Sequence, residues 1–341
     1  MARLTQAIVN LTRLTSLSTR VLADIPFAAT AFVQRPPSYT VPAFSAPVGV
    51  AGYFGGGLDN SSNFLSGIDK ITFPADTKTT LSATLTTGRY NLASMANSGV
   101  AGYFGGGSDG ANISGIDKIT FPADTKTTLS ATLTTILQQA TGMANSGVAG
   151  YFGGGANGPL ISGIDKITFP ADTKTTLSAT LTSARRIFAG MANSGTAGYF
   201  GGGLTGAGNT DGIDKITFPA DTKTTLSAVL TTARNALSGM ANSGVAGYFG
   251  GGDAPNDNID KITFLSDTKT TLSAVLTANN ATSSAMANLG VAGYFGGGQN
   301  AGPSTDRVDK ITFPADTKTT LSAVLTMPRN SGAGMANSGV I

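Results

Sequence analysis

One segment, AGYFGGG, occurs six times along this chain, and a self-similar period restricts the fold more than any composition does. Its tyrosines, Tyr53, Tyr103, Tyr151, Tyr199, Tyr248 and Tyr294, are 50, 48, 48, 49 and 46 residues apart. Each copy is followed by IDKITF, the last reading VDKITF from Val308, and then by MAN, from Met95, Met143, Met191, Met240, Met286 and Met335. Six units account for residues 48–341. Stacked units of this length bury a continuous core that none could bury alone.

Within a unit the apolar pattern has period two, which is the period of a strand. In the second copy the pattern predicts strands over Val100 to Gly105, Ile116 to Phe121, Thr127 to Leu133 and Gly142 to Ser146. In the Ile116 strand, Asp117, Ile119 and Phe121 share one face, with Ile116, Lys118 and Thr120 on the other. Leu129, Ala131 and Leu133 alternate inward in the next, and the turn between them is Pro122-Ala123-Asp124-Thr125. Four short antiparallel strands per unit describe one propeller blade.

Composition removes most catalytic chemistry. The chain has no Cys and no His, and all 19 acids are Asp. That excludes thiol nucleophiles, imidazole acid–base pairs and the usual zinc sites. No metal site and no cofactor are expected. The net charge of +3 arises in residues 1–47, where Arg3, Arg13, Arg20 and Arg35 face only Asp24. The repeats are balanced, with Lys and Asp alternating, so no basic stripe offers itself to nucleic acid. No run approaches the ~20 apolar residues of a membrane span.

GVAGYFGGG, IDKITFPADT and LSAVLTTAR of the fourth copy resemble the kelch repeat, with its Gly-Tyr, its Gly pair and an Arg leading into the next blade. The resemblance covers residues 48–341 and implies a kelch-like propeller. Leu81, Leu129, Leu177, Leu226, Leu272 and Leu321 stand where kelch units carry Trp. The Arg position holds Arg89, Arg185, Arg234 and Arg329, but Leu137 and Asn280 in two copies. GYFGGG arrays with such segments also look like virion proteins of bacteriophages, including those of cyanobacteria. The fold class expected is therefore all-β: a six-bladed β-propeller of four-stranded antiparallel blades, closed by the C-terminal strand, with an extended N-terminal arm. The first unit lacks a preceding MANSG and the last lacks a following GYFGGG, so each end supplies what the other needs. Such pairing would leave no open sheet edge.

With strands a to d counted outward from the axis, the a–b turn NSG and the c–d turn PADT barely vary. The b–c loops and the d–a linkers differ in every copy. Antiparallel order puts those two variable sets on one face. Candidate contacts there are Arg89, Tyr90, Arg185, Arg186, Phe188, Arg234 and Arg329, since Arg and aromatic side chains suit stacking and polar recognition. Each Arg singly also fits a structural role at a blade junction. The repeated Asp-Lys pairs are expected to put Lys outward, solvated or paired across a strand.

Residues 1–47 share no repeat. Leu4, Ile8, Leu11, Leu14, Leu17, Val21 and Ile25 recur every three or four residues, as in an amphipathic helix, while the interspersed Thr and Ser equally suit a strand. Pro36, Pro37, Pro42 and Pro47 favour a stiff connector. The expectation is an anchoring arm that docks on other virion proteins or self-associates into a homo-oligomer. The function expected is a nonenzymatic bacteriophage virion protein at the virion surface. It would be a tail fibre, baseplate adhesin or capsid decoration that binds a host-surface glycan or protein. Two alternatives stay open: a carbohydrate-active enzyme on a kelch-like propeller, and a cellular kelch-type interaction scaffold. The six near-identical inner strands argue against the enzyme, because a site needs unlike residues converging on the axis.

Overall fold

The chain divides into two units, Met1–Ala46 and Pro47–Ile341. The computed structural model describes residues 51–253, 256–277, 280–299 and 302–338 of the second. The arm and its apolar series from Leu4 to Ile25 lie outside the described residues.

Every described element is a strand, and the arrangement is propeller-like: six antiparallel four-stranded sheets and one small three-stranded sheet. One sheet shows the order. Thr141–Asn145 is innermost, followed by Ala149–Gly153, Ile164–Thr168 and Thr173–Thr176. Met143 faces Tyr151 and Tyr151 faces Lys166 across the ladder. The sheet holding the first repeat takes its innermost strand from the other end of the chain. Ala333–Ala336 pairs with Ala51–Gly55, with Met335 opposite Tyr53.

The outer strand departs from the sequence expectation. In the second copy it is Thr125–Thr128, not Thr127 to Leu133. Beyond Thr128 the chain leaves the ladder, and only isolated bonds remain, from Leu129 N–H to Ile116 O and from Leu133 N–H to Ser114 O. The alternation of Leu129 and Leu133 records where side chains reach the core, whereas the β-branched threonines carry the pairing. The third strand stops at Thr120, one residue before Phe121.

Neighbouring sheets meet through a repeated contact set. Tyr53 stacks on Phe121 of the next sheet at 5.0 Å, and the series continues through Tyr103–Phe169, Tyr151–Phe218, Tyr199–Phe264 and Tyr248–Phe313 to Tyr294–Phe73. The stacks therefore run in cyclic order. Close approach explains one glycine of GYFGG: a Cβ on Gly150 would lie 2.0 Å from Met95 Sδ of the preceding sheet. All six strand tyrosines and methionines are buried. Each such side chain contributes about 1.5–3 kcal/mol through burial.

The repeated charges are committed between sheets rather than left in solvent. Asp124 of the PADT turn accepts Tyr53 Oη on Oδ1 at 2.8 Å and Lys70 Nζ on Oδ2 at 2.7 Å, both from the preceding sheet. The same clamp recurs at Asp172, Asp221, Asp267, Asp316 and Asp76. Of the two expectations for these lysines, solvated or paired across a strand, pairing holds, but the partner is in the next sheet, and Lys118 is about as shielded as its partner Asp172. The turn aspartates adopt φ of 53–56°, a left-handed conformation that Asp tolerates.

Candidate functional site

The variable segments lie together because the ladder continues beyond the strands at one end. Each linker to the next inner strand bonds to the loop that follows the next GGG. Tyr90 exchanges two backbone bonds with Ser108, at 3.0 and 2.9 Å, and Gln138 with Ala156 and Ala281 with Gln299 do the same. Between the third copy's linker and the fourth copy's loop the pairing is long enough to form the small sheet of Arg185–Arg186, Leu204–Thr205 and Gly208–Asn209. The seventh sheet is thus the same device, extended in one copy.

The next residue of each linker builds a ring. Asn91, Gln139, Ile187, Ala236, Thr282 and Ser331 all take φ between 54 and 62°. Each donates its backbone N–H to the carbonyl of the equivalent residue in the preceding linker, from Asn91 on Ser331 at 2.7 Å round to Ser331 on Thr282 at 2.9 Å. Ile187 and Thr282 are the costly members, because a β-branched residue in the left-handed region crowds its own backbone. The six residues are all different. The axis therefore does carry the asymmetry that near-identical inner strands seemed to deny it, but only at this mouth.

Beneath the ring is a cavity of about 110 Å³ lined by the linkers and the starts of the inner strands, including Ser94, Thr141, Ser238, Ser283 and Ser284. No lining residue is ionisable. Deeper in, the inner strands approach closely: a Cβ on Gly142 would stand 2.1 Å from the Ser94 carbonyl oxygen. The cavity can hold small neutral polar groups, and it offers neither an acid nor a base.

The sequence candidates divide sharply. Arg89, Arg185, Arg234 and Arg329 are at most 5% exposed and point into the junctions between sheets. Arg89 Nη2 donates to Asp117 Oδ2 at 2.9 Å and to the Phe104 carbonyl at 3.2 Å. Arg185, Arg234 and Arg329 bind Asp214, Asp260 and Asp69 in the same way. Burial pushes the Arg89 guanidinium below its ordinary value, and the Asp117 charge opposes that. Burial alone would raise Asp117, but bonds from Thr86 and Thr128 and the Arg89 charge hold it below the ordinary carboxylate range. At Leu137 and Asn280 the guanidinium is missing. There Asp165 and Asp309 still accept a threonine N–H and two threonine hydroxyls.

Phe188 is also buried, edge-on to Phe200 at 5.7 Å. Arg186 and Tyr90 remain at the face. Arg186 Nη1 donates to Gln139 Oε1 at 3.2 Å, and Tyr90 stacks flat on Phe64 at 5.5 Å with 7° between the planes. Sequence reasoning missed Phe64 and the ring. Phe64 had a signal, being an aromatic in a variable loop. The ring had none, because its members share no residue type. Comparison with known proteins finds no family model and no curated protein that matches the chain.

Proposed function

We propose that this chain is a nonenzymatic display module: a six-bladed propeller, closed by its C-terminal strand, that presents its variable face for binding. We further propose that it is a bacteriophage virion protein, a tail fibre, baseplate adhesin or head decoration, held in the particle by residues 1–47. One observation carries the binding reading. Among the described residues, the segments that differ between repeats are bonded together at one end of the sheets, on a scaffold whose tyrosine–aspartate and tyrosine–phenylalanine contacts recur in every repeat. Loops placed by a rigid scaffold are where recognition resides.

The opposite end supports the same division of roles. There the NSG turns are linked to one another, with Asn97 Oδ1 accepting the Gly147 N–H and Ser146 Oγ accepting the Ser98 N–H. The nonenzymatic part is supported by the cavity, whose lining has no group able to move a proton. The virion part rests on the resemblance of the GYFGGG array.

The experiment is incorporation. Particles made with a chain that begins at residue 46 should lack the propeller when probed with a gold-labelled antibody against the repeats. Normal occupancy would remove the anchoring role of the arm, and absence of the full chain from purified particles would remove the virion role.

A further inference from the structure

Among the described residues, Phe64 is the only exposed aromatic, at 40%. Its ring stacks on Tyr90, and two fifths of the residue is open to solvent. The loop that carries it is built to hold this position. Asp59 accepts the Ser61 and Asn63 N–H groups and Asn63 Nδ2, all at 2.8 Å, and Leu58 bridges Phe64 across the loop. The bonds from Asn63 and Ser61 keep the Asp59 carboxyl below its ordinary value. Gly88 admits the loop: a Cβ there would be 2.2 Å from the Phe64 carbonyl oxygen, and the equivalent positions Ile136, Ala184, Ala233, Asn279 and Pro328 all carry one.

Beside the aromatic pair lies a run of neutral amides. Asn91, next to Tyr90 and a member of the ring, donates through Nδ2 to Gln138 Oε1 at 3.3 Å, and Asn112 Nδ2 donates to Asn157 Oδ1 at 3.3 Å. The charged residues in the three segments that meet here are Asp59, Asp109 and Arg89, and Arg89 is buried against Asp117. These three segments offer no free cation among the described residues, and Arg186 of a later linker is engaged by Gln139 Oε1 at 3.2 Å.

We propose that the Phe64–Tyr90 pair and the amides of Asn91 and Gln138 form a binding site for a neutral hexose chain. The apolar C–H face of a pyranose packs on an exposed aromatic ring, and its hydroxyls match amide donors and acceptors and the acceptor-only carboxylates beside them. An acidic glycan would meet Asp59 and Asp109 without compensation. The loop is already bonded in place, so little ordering is needed on binding. This inference rests on the reading of the variable face as the display face.

The test uses the full chain with α-glucan, β-galactan and α-mannan hexamers as neutral probes and a polygalacturonate hexamer as the acidic one, by saturation-transfer NMR and calorimetry. At least one neutral hexamer should bind, and Phe64→Ala and Tyr90→Ala should each weaken it tenfold or more. Phe64→Ala should leave the melting temperature unchanged, and Val100→Ser on the opposite face should leave binding intact. Neutral binding that survives Phe64→Ala would overturn the site, as would binding of the acidic hexamer or of a host protein alone. Those results leave the display reading standing. Full adsorption to host cells by particles without the propeller would overturn that reading itself.

Discussion

Two aspartates in each repeat do the work of joining sheets, and they do it differently. The turn aspartate, such as Asp124, is half-shielded and takes one neutral and one charged donor from its neighbour. The strand aspartate, such as Asp117, is buried and takes Thr86 N–H, two threonine hydroxyls and the Arg89 guanidinium. Asp165 beside Leu137 shows that the threonines, with Lys174 Nζ 3.8 Å away, keep a buried carboxylate satisfied without a guanidinium. Arg89→Leu should therefore cost only about 1–2 kcal/mol, whereas Asp117→Ala, which strands a buried guanidinium, should cost about 3–5 kcal/mol. Urea denaturation of both variants checks this, and equal losses would refute the division of roles.

At the scale of the element, the linkers and the strands answer to different demands. The inner strands need small residues where backbones approach, as at Gly142. The linkers must all reach the left-handed region so that the ring of N–H to C=O bonds can close. Asn91 meets that demand at little cost, while Ile187 meets it under strain. Ile187→Asn should stabilise the protein by about 1 kcal/mol. The measure is the shift in denaturation midpoint at unchanged slope, and no gain would mean that Ile187 recovers its cost through packing.

The whole molecule shares one alkaline weakness. Burial, and then the bond to an aspartate and its charge, push all six strand tyrosines above their ordinary value. In the unfolded chain these phenols ionise near about pH 10. Above that pH the folded state holds protons that the unfolded state releases, so their stabilisation is complete below about pH 10 and is lost as pH rises further. Because the six act together around the cycle, the loss should be steep. Most tyrosinate absorbance should appear together with loss of the β circular dichroism; tyrosinate well ahead of unfolding would contradict the clamp.

Reading the chain alone determined the all-β class, the number of repeats, the antiparallel succession of strands within each repeat and the end of the sheets at which the variable segments gather. Each of these follows from local rules: period-two alternation, turn residues at fixed offsets and antiparallel succession. The pairing of Ala333–Ala336 with Ala51–Gly55 was legible too, because the two ends of the array are complementary. The outer strand was misread because the leucine alternation reports contact with the core rather than membership of a ladder. The fates of the repeated charges were decided only by the tertiary structure. Nothing local says that Lys70 and Tyr53 converge on Asp124, 54 and 71 residues away, or that Arg89 turns inward rather than toward a ligand. The same holds for the ring at the axis, whose six unlike residues are united by a backbone conformation that close approach in three dimensions imposes and that no residue type announces.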